Sequence, residues 1–130
     1  MTHQIIHPEG WLPAKGYANG VLAKDGTLYV GGQIGWDDNK KFVSDSFIGQ
    51  MRQVLLNIRT IVEAAGGTIE DVTRLTWFVT DKSEYLSAQA EVGSVYTEIF
   101  GSHYPAMSMV VVAGLVEDEA KVEIEATARI

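Results

Sequence analysis

The residues that could do chemistry in this chain are few, and their spacing argues against several kinds of site. The three histidines, His3, His7 and His103, are not spaced as metal ligands, and no carboxylate cluster accompanies them. The absence of cysteine excludes a thiol nucleophile, a disulfide framework and a cysteine-based metal centre. Ser108 has no visible base partner in the sequence, so we do not predict a serine nucleophile. The sequence therefore predicts no metal site and no covalent catalysis.

The glycine-rich run GGQIG at 31–35 has the composition of a nucleotide-binding loop but not its context. No Lys-Ser or Lys-Thr pair follows it, and no helix is predicted to begin there. The net charge of −7 also disfavours nucleic-acid binding, because phosphate recognition needs clustered Lys and Arg, and the ten basic residues here are scattered. The acidic run 117–119 is predicted to be a solvated turn.

Length and composition predict one domain over residues 1–130, with ordinary globular hydrophobicity and charge. The first residues contain no basic region followed by an apolar stretch, so no signal peptide is expected. No apolar run approaches the roughly 20 residues that cross a bilayer. We therefore expect a cytoplasmic protein without a membrane partner.

The elements that must position any site show two kinds of hydrophobic pattern, one with the period of a strand and one with the period of a helix. Both kinds occur along the chain, which predicts an α+β domain. Asp-Gly at 25–26 indicates the tight turn of a hairpin. Apolar residues at spacings of three and four predict two amphipathic helices, the first capped by Ser44 or Asp45 and the second by Asp81. The predicted elements are a hairpin at 20–30, helices at 47–65 and 81–101, and strands at 72–80, 106–113 and 121–130.

Two helices can cover only one face of such a sheet. Yet the strand at 106–113 is apolar on both faces, with Met107, Met109 and Val111 on one side and Val110 on the other. Leaving the second face in water would cost on the order of 25 cal/mol per Å² of apolar surface. A symmetric assembly that buries this face is the simplest remedy, so we predict a homo-oligomer.

Six short segments, in order along nearly the whole chain, resemble the RidA/YjgF family, also labelled the L-PSP endoribonuclease family. The segments are GYANG at 16–20, VGGQI at 30–34, IVEAAG at 61–66, TWFVTD at 76–81, YPA at 104–106 and VEIEA at 122–126. The resemblance implies a chorismate-mutase-like α+β fold with a mixed β-sheet and two helices packed on one face. It further implies a homotrimer with a central β-barrel, small-molecule clefts between subunits, and no metal or organic cofactor.

For active members, the resemblance implies hydrolysis of reactive enamines and imines to a carbonyl compound and ammonia. Those members carry an arginine directly after Pro-Ala, whose guanidinium grips the substrate carboxylate with two parallel hydrogen bonds. Here that position is Met107, and the position two residues on, often cysteine in the family, is Met109. The chain thus resembles a branch that lacks the arginine.

The resemblance also assigns site residues. Glu123 matches the carboxylate that positions or activates water, Tyr17 a tyrosine that reaches the ligand, and Gly32 a position whose backbone faces it. The alternative for Glu123 is a solvated or salt-bridging strand residue, and for Tyr17 an interface aromatic.

Gln33 and Trp36 lie beside that turn, and Trp36 with Met107 and Met109 would make an apolar, adaptable wall. The competing interpretation places these apolar residues in an inter-subunit core.

Two functions remain open. The first is an enamine or imine deaminase, whose apolar wall would suit a larger unsaturated substrate such as an aminomuconate-like product of aromatic ring cleavage. The second is a homotrimer that binds a small ligand without turning it over. A ribonuclease activity, also a family label, is disfavoured by the acidic composition.

Overall fold

The computed structural model describes residues 2–130, and the predicted helices and strands are present in it. The short first strand was not predicted. The strands are β1 (Gln4–Ile6), β2 (Gly20–Leu22), β3 (Thr27–Gln33), β4 (Val72–Val79), β5 (Ala106–Val111) and β6 (Val122–Arg129), and the helices are α1 (Phe47–Ala64), α2 (Lys82–Ser87) and α3 (Gln89–Phe100). A 3₁₀ turn at Ile69–Asp71 leads into β4.

The six strands form one mixed sheet in the order β1-β2-β3-β6-β4-β5. Only β4 and β5 pair in parallel, because α2 and α3 form the crossover between them. The last strand, β6, lies between β3 and β4 and pairs antiparallel with both. The predicted α+β class with a mixed sheet is confirmed.

The first helix begins and ends at local signals. The Ser46 hydroxyl accepts a 3.0 Å hydrogen bond from the Gly49 N–H, so Ser46 is the N-cap and the prediction of Ser44 or Asp45 was wrong. The Ser44 hydroxyl instead accepts from the Ser46 N–H at 3.0 Å and supports the cap from outside the helix. Gly66, at φ +92°, ends the helix as predicted.

The predicted second helix is two helices. Ala88 adopts φ −114° and ψ 13°, which breaks the chain direction between α2 and α3. The Asp81 carboxylate accepts from the Glu84 N–H at 3.1 Å, which confirms the predicted cap, and Gly101, at φ +64°, ends α3. A helical hydrophobic period does not reveal such a break, because the apolar spacing continues through it.

The helices cover one face of the sheet and leave the opposite face uncovered. Residues of β6 alternate as predicted: Val122, Ile124, Ala126 and Ala128 are buried towards the helices, and Glu123 and Glu125 project from the opposite face. On that opposite face Tyr29 is 54% exposed and Val110 44% exposed. We call it the open face of the sheet.

Candidate functional site

The predicted residues around Glu123 come together in a small cavity on the open face, where β3 ends and β6 begins. Its volume is about 130 Å³. The lining residues are Tyr17, Asn19, Gly32, Gln33, Ile34, Trp36, Val116, Glu117 and Glu123. Asn19, Ile34 and Val116 were not predicted as site residues, and Glu117 was predicted only as part of a solvated turn; it is exposed at the edge of the pocket. We call this the Glu123 pocket.

The Glu123 side chain is in close contact with the backbone of Gly32. A Cβ atom at position 32 would overlap the Glu123 carboxylate, so a larger residue there would displace this side chain from its present position. The pairing of β3 with β6 shifts register between Val30 and Gln33, and the resulting bulge turns Gly32 towards β6. The Glu123 carboxylate therefore packs against bare backbone at position 32, and both groups line the pocket.

The Glu123 carboxyl is half-buried, and this environment changes its acidity. Burial raises the pKa of Glu123 above its ordinary value, and repulsion from the Glu125 carboxylate on the same face adds to the rise. A carboxyl group with a raised pKa holds and releases a proton closer to neutral pH than an exposed glutamate does. The pocket therefore contains a group suited to proton transfer.

The buried Gln33 side chain supports the backbone around the pocket. It is 4% exposed, and its side-chain amide donates to the Asn19 Oδ1 at 3.2 Å and to the Gly31 carbonyl at 3.1 Å. Asn19 is also buried, and its backbone carbonyl accepts a hydrogen bond from the Gly31 N–H at 2.9 Å. These bonds fix the bulge to the segment that carries Tyr17.

The mouth of the pocket is aromatic and carries a cation. Tyr17 is 51% exposed. The Lys40 ammonium lies 5.6 Å from the Tyr17 ring centroid and 6.0 Å from that of Trp36, and it donates to the Pro13 carbonyl at 2.8 Å. Both distances suit cation–π contacts. Nothing in the sequence pattern singles out Lys40, because its position depends on how the loop folds.

Two buried amides of α1 hold the loops that complete the pocket. Asn57 donates to the carbonyls of Ile34 (3.3 Å) and Trp36 (2.9 Å) and so holds the loop after β3. Gln50 donates to the Glu119 carbonyl at 2.9 Å, and its Oε1 accepts from the N–H of the residue that precedes β6 at 2.8 Å. The signal missed in the sequence was two amides, seven residues apart, within an apolar helical stripe.

Met107 and Met109 lie elsewhere. They pair in register with Leu75 and Trp77, which are buried towards the helices, whereas Glu123 pairs with Phe78 on the open face. Within one chain the two methionines therefore do not reach the Glu123 pocket. A wall formed by Trp36, Met107 and Met109 together requires side chains from different copies of the protein.

The histidines make backbone contacts. His7 Nε2 lies 3.1 Å from the Trp11 carbonyl oxygen, and His103 Nε2 lies 2.7 Å from that of Val72. Within residues 2–130 no three His, Cys, Asp or Glu side chains are grouped closely enough to hold a metal ion. Among the same residues, no helix combines the length and the apolar character needed to cross a membrane.

Comparison with known proteins extends these observations. The sequence model of the family described as Endoribonuclease L-PSP matches residues 9–130. A putative endoribonuclease L-PSP from Entamoeba histolytica superposes with a TM-score of 0.86 at 26% identity, covering 98% of this chain and 99% of that one. RidA from the Antarctic bacterium Psychrobacter sp. PAMC 21119 gives 0.83 at 34% identity, covering 98% and 99%.

A third solved structure, E. coli TdcF with bound serine, superposes with a TM-score of 0.82 at 32% identity, covering 98% of each chain. The match to the family model spans nearly the whole chain, and several solved relatives exceed 30% identity over their full length. The chain therefore belongs to the RidA/YjgF family, and this membership supports a role with small molecules, either in imine deamination or in ligand binding.

Proposed function

We propose that this protein hydrolyses the carbon–nitrogen double bond of a small imine, formed from an enamine, at the Glu123 pocket. The observation that carries the proposal is the Glu123 carboxyl itself. It is half-buried, its pKa is raised, and it packs against the bare backbone of Gly32 in the wall of a cavity. Family membership supports the reaction class.

In the proposed reaction the substrate enters as its imine tautomer. The imine reacts protonated on nitrogen. The Glu123 carboxylate takes a proton from water as the water oxygen bonds to the iminium carbon and the carbon–nitrogen π electrons move to nitrogen, which gives a neutral carbinolamine. Glu123 then returns the proton to the amine nitrogen, the carbon–nitrogen bond breaks with its electron pair leaving on nitrogen as ammonia, and the hydroxyl proton passes to the Glu123 carboxylate or to water as the carbonyl forms. The products are a carbonyl compound and ammonia, so every atom of the imine and the water is accounted for.

The lining of the pocket narrows the substrate class. Tyr17 and Trp36, which already contact the Lys40 ammonium, provide aromatic surface, and the Glu123 carboxylate provides negative charge beside the reacting nitrogen, which together favour an unsaturated substrate. Met107 stands where active relatives carry the carboxylate-binding arginine. We therefore expect a substrate other than a small imino acid, and a larger unsaturated one, such as an aminomuconate-like compound, is the candidate that the aromatic lining favours.

The proposed site is completed by assembly. Met107 and Met109 contribute to the Glu123 pocket only if they come from another copy, and Tyr29, Phe78 and Val110 leave apolar surface on the open face. A homotrimer whose three sheets form a central barrel would bury this face and create three clefts. We propose this assembly, with the Glu123 pocket at each seam.

The second candidate function is the binding of a small ligand without catalysis. It is favoured by Met107, because methionine cannot form the two parallel hydrogen bonds of a guanidinium with a carboxylate. The related E. coli protein TdcF has been solved with bound serine. In this alternative the pocket holds an amino-acid-like or unsaturated ligand and releases it unchanged.

The assembly predicts a sedimenting species of three times the 14.2 kDa chain mass. Val110→Lys should shift the population to monomers, because three added charges would face one another inside the barrel. Leu86→Lys is the matched control, since Leu86 is 50% exposed on α2, away from the open face, and should leave the trimer intact. A wild-type monomer at micromolar concentration in sedimentation velocity would contradict the assembly.

The reaction predicts that Glu123→Gln releases ammonia at least about 100-fold more slowly than the wild type, as expected for removal of a general base. The measurement is ammonia release from an aminomuconate-like enamine and from 2-iminopropionate, with substrate binding followed separately by calorimetry. Turnover equal in variant and wild type would remove Glu123 from the mechanism. Binding without turnover in the wild type would establish the second candidate instead.

The raised pKa of Glu123 predicts the pH dependence of the rate. Because the carboxylate form acts as base, activity should fall as pH decreases through the pKa of Glu123, and this fall should begin above the range of an ordinary glutamate. Glu125→Gln removes the repulsion that adds to the rise, so the acidic limb should move to lower pH. Glu63→Gln, which removes an equal charge from an exposed site on α1, should leave the limb unmoved.

Met107→Arg is expected to raise the hydrolysis of 2-iminopropionate by about tenfold or more, because one charge-assisted bidentate contact contributes about 1.5–3 kcal/mol. Met107→Lys should give a smaller gain, since lysine carries the charge without the planar fork. The comparison uses kcat/KM for the three proteins. Equal values would show that the cleft differs from active relatives at more than this residue.

A further inference from the structure

The loop that follows β3 forms a short hairpin, and Lys40 occupies its most constrained backbone position. Trp36 and Phe42 form an isolated antiparallel bridge across this hairpin. The Lys40 N–H donates to the Asp37 carbonyl at 3.0 Å, and the Asp37 N–H donates to the Lys41 carbonyl at 2.9 Å. Lys40 lies at φ +59°, in a position where such a turn usually has glycine.

Lys40 is the one non-glycine residue with a positive φ among residues 2–130. This conformation brings the Cβ atom of an L-residue close to a backbone oxygen, so it is unfavourable for lysine and accessible to glycine. The turn itself therefore gives no reason for a lysine. Because the backbone conformation is unfavourable, the reason for a lysine must be found in the contacts of its side chain.

Three contacts hold the Lys40 side chain at the mouth of the Glu123 pocket. Its ammonium donates to the Pro13 carbonyl at 2.8 Å and lies within 6.0 Å of the ring centroids of Tyr17 and Trp36, which both line the pocket. An ammonium group has three N–H donors. The Pro13 carbonyl takes one of them, and the two rings attract the charge without supplying a lone pair. Donors of Lys40 therefore remain for a ligand.

The charge of Lys40 is not neutralised by a neighbouring acid. Among residues 2–130 no carboxylate oxygen lies within 4.0 Å of its ammonium nitrogen. The Glu123 carboxylate lines the same pocket, yet it is not ion-paired with Lys40. Two opposite charges that do not contact each other can contact opposite ends of one molecule.

We propose that the Lys40 ammonium binds a carboxylate of the substrate at the mouth of the Glu123 pocket. It thereby selects an unsaturated imine or enamine whose anionic group lies at the far end from the reacting nitrogen. No Lys or Arg side chain lines the pocket itself, and Lys40 is the cation in contact with its rings. Lys40 can act in this way only if the substrate binds in the Glu123 pocket, so this role rests on the proposed function.

The molecules para-aminobenzoate and para-aminobenzamide are matched probes. Both are planar unsaturated amines without an imine bond, and the group at the far end is a carboxylate in the first and a neutral amide in the second. The wild type should bind the carboxylate about five- to tenfold more tightly in titration calorimetry, as expected for one charge-assisted hydrogen bond at a half-buried site. A chain with a net charge of −7 otherwise repels an anion, so this preference requires a local cation.

Three substitutions of Lys40 separate its charge from its backbone conformation. Lys40→Asn removes the charge and keeps a residue that tolerates positive φ, so the two probes should bind equally. Lys40→Gly should also lose the preference, and its thermal unfolding temperature should be no lower than that of Lys40→Asn, because glycine is unstrained there. Lys40→Arg keeps the charge and should keep the preference for the carboxylate.

Lys41→Asn is the matched control, because it removes an equal charge from an exposed residue of the same hairpin. Its preference for the carboxylate probe should equal that of the wild type. A general effect of the net charge on anion binding would instead change Lys41→Asn as much as Lys40→Asn, and this result would overturn the role of Lys40.

Lys40 should affect KM rather than kcat. With an aminomuconate-like enamine, Lys40→Asn should raise KM about fivefold or more and leave kcat nearly unchanged, because Lys40 binds a group that does not react. Lys40→Arg should restore KM. A fall in kcat with unchanged KM would mean that Lys40 only fixes the loops that carry Tyr17 and Trp36, and would overturn carboxylate binding.

The binding results distinguish failure of this role from failure of the proposed reaction. No saturable binding of para-aminobenzoate to the wild type, or a carboxylate preference that persists in folded Lys40→Asn, would overturn the role of Lys40 even if Glu123-dependent turnover is intact. A Lys40-dependent preference in a protein that releases no ammonia from any enamine would support carboxylate binding and contradict the hydrolysis.

Discussion

Two amide side chains buried in α1 hold the loops on which the Glu123 pocket depends. Gln50 and Asn57 are 0% and 4% exposed, and each donates from its side-chain amide to backbone carbonyls of a loop. A buried amide left without partners is costly, so each loop stabilises α1 as much as α1 stabilises the loop. This mutual dependence gives irregular backbone around the pocket a fixed geometry without regular hydrogen-bond ladders.

The position of Glu123 follows from packing constraints around it. Val122 and Ile124 must face the helices to remain in the core, and the period of two along a strand then turns the residue between them to the open face. The bulge in β3 brings Gly32 opposite the carboxylate, and the absence of a Cβ atom leaves room for it. The half-burial of the Glu123 carboxyl, which raises its pKa, therefore results from the strand register together with the bulge.

The sequence predicted what local periodicity determines. The stripe of α1, the alternation of β6 and the exposed second face all follow from spacing within one element, and the structure bears them out. The break at Ala88 was missed because the apolar spacing runs through it. Lys40 was missed because its contacts with Tyr17 and Trp36 depend on a loop fold that no periodic pattern encodes.

The placement of Met107 and Met109 could not be predicted from local sequence patterns. Alternation correctly groups them on one side of β5, yet it does not reveal which side faces the helices, because that depends on pairing with β4 across the crossover at 80–105. The parallel register joins Met109 to Trp77, and so assigns the two methionines to a cavity with a buried indole. β5 is therefore an edge strand with two separate surroundings. A slip of one residue in register would turn Met107 and Met109 to the open face, which makes the β4–β5 pairing the determinant of which side chains line the cavity beneath the helices.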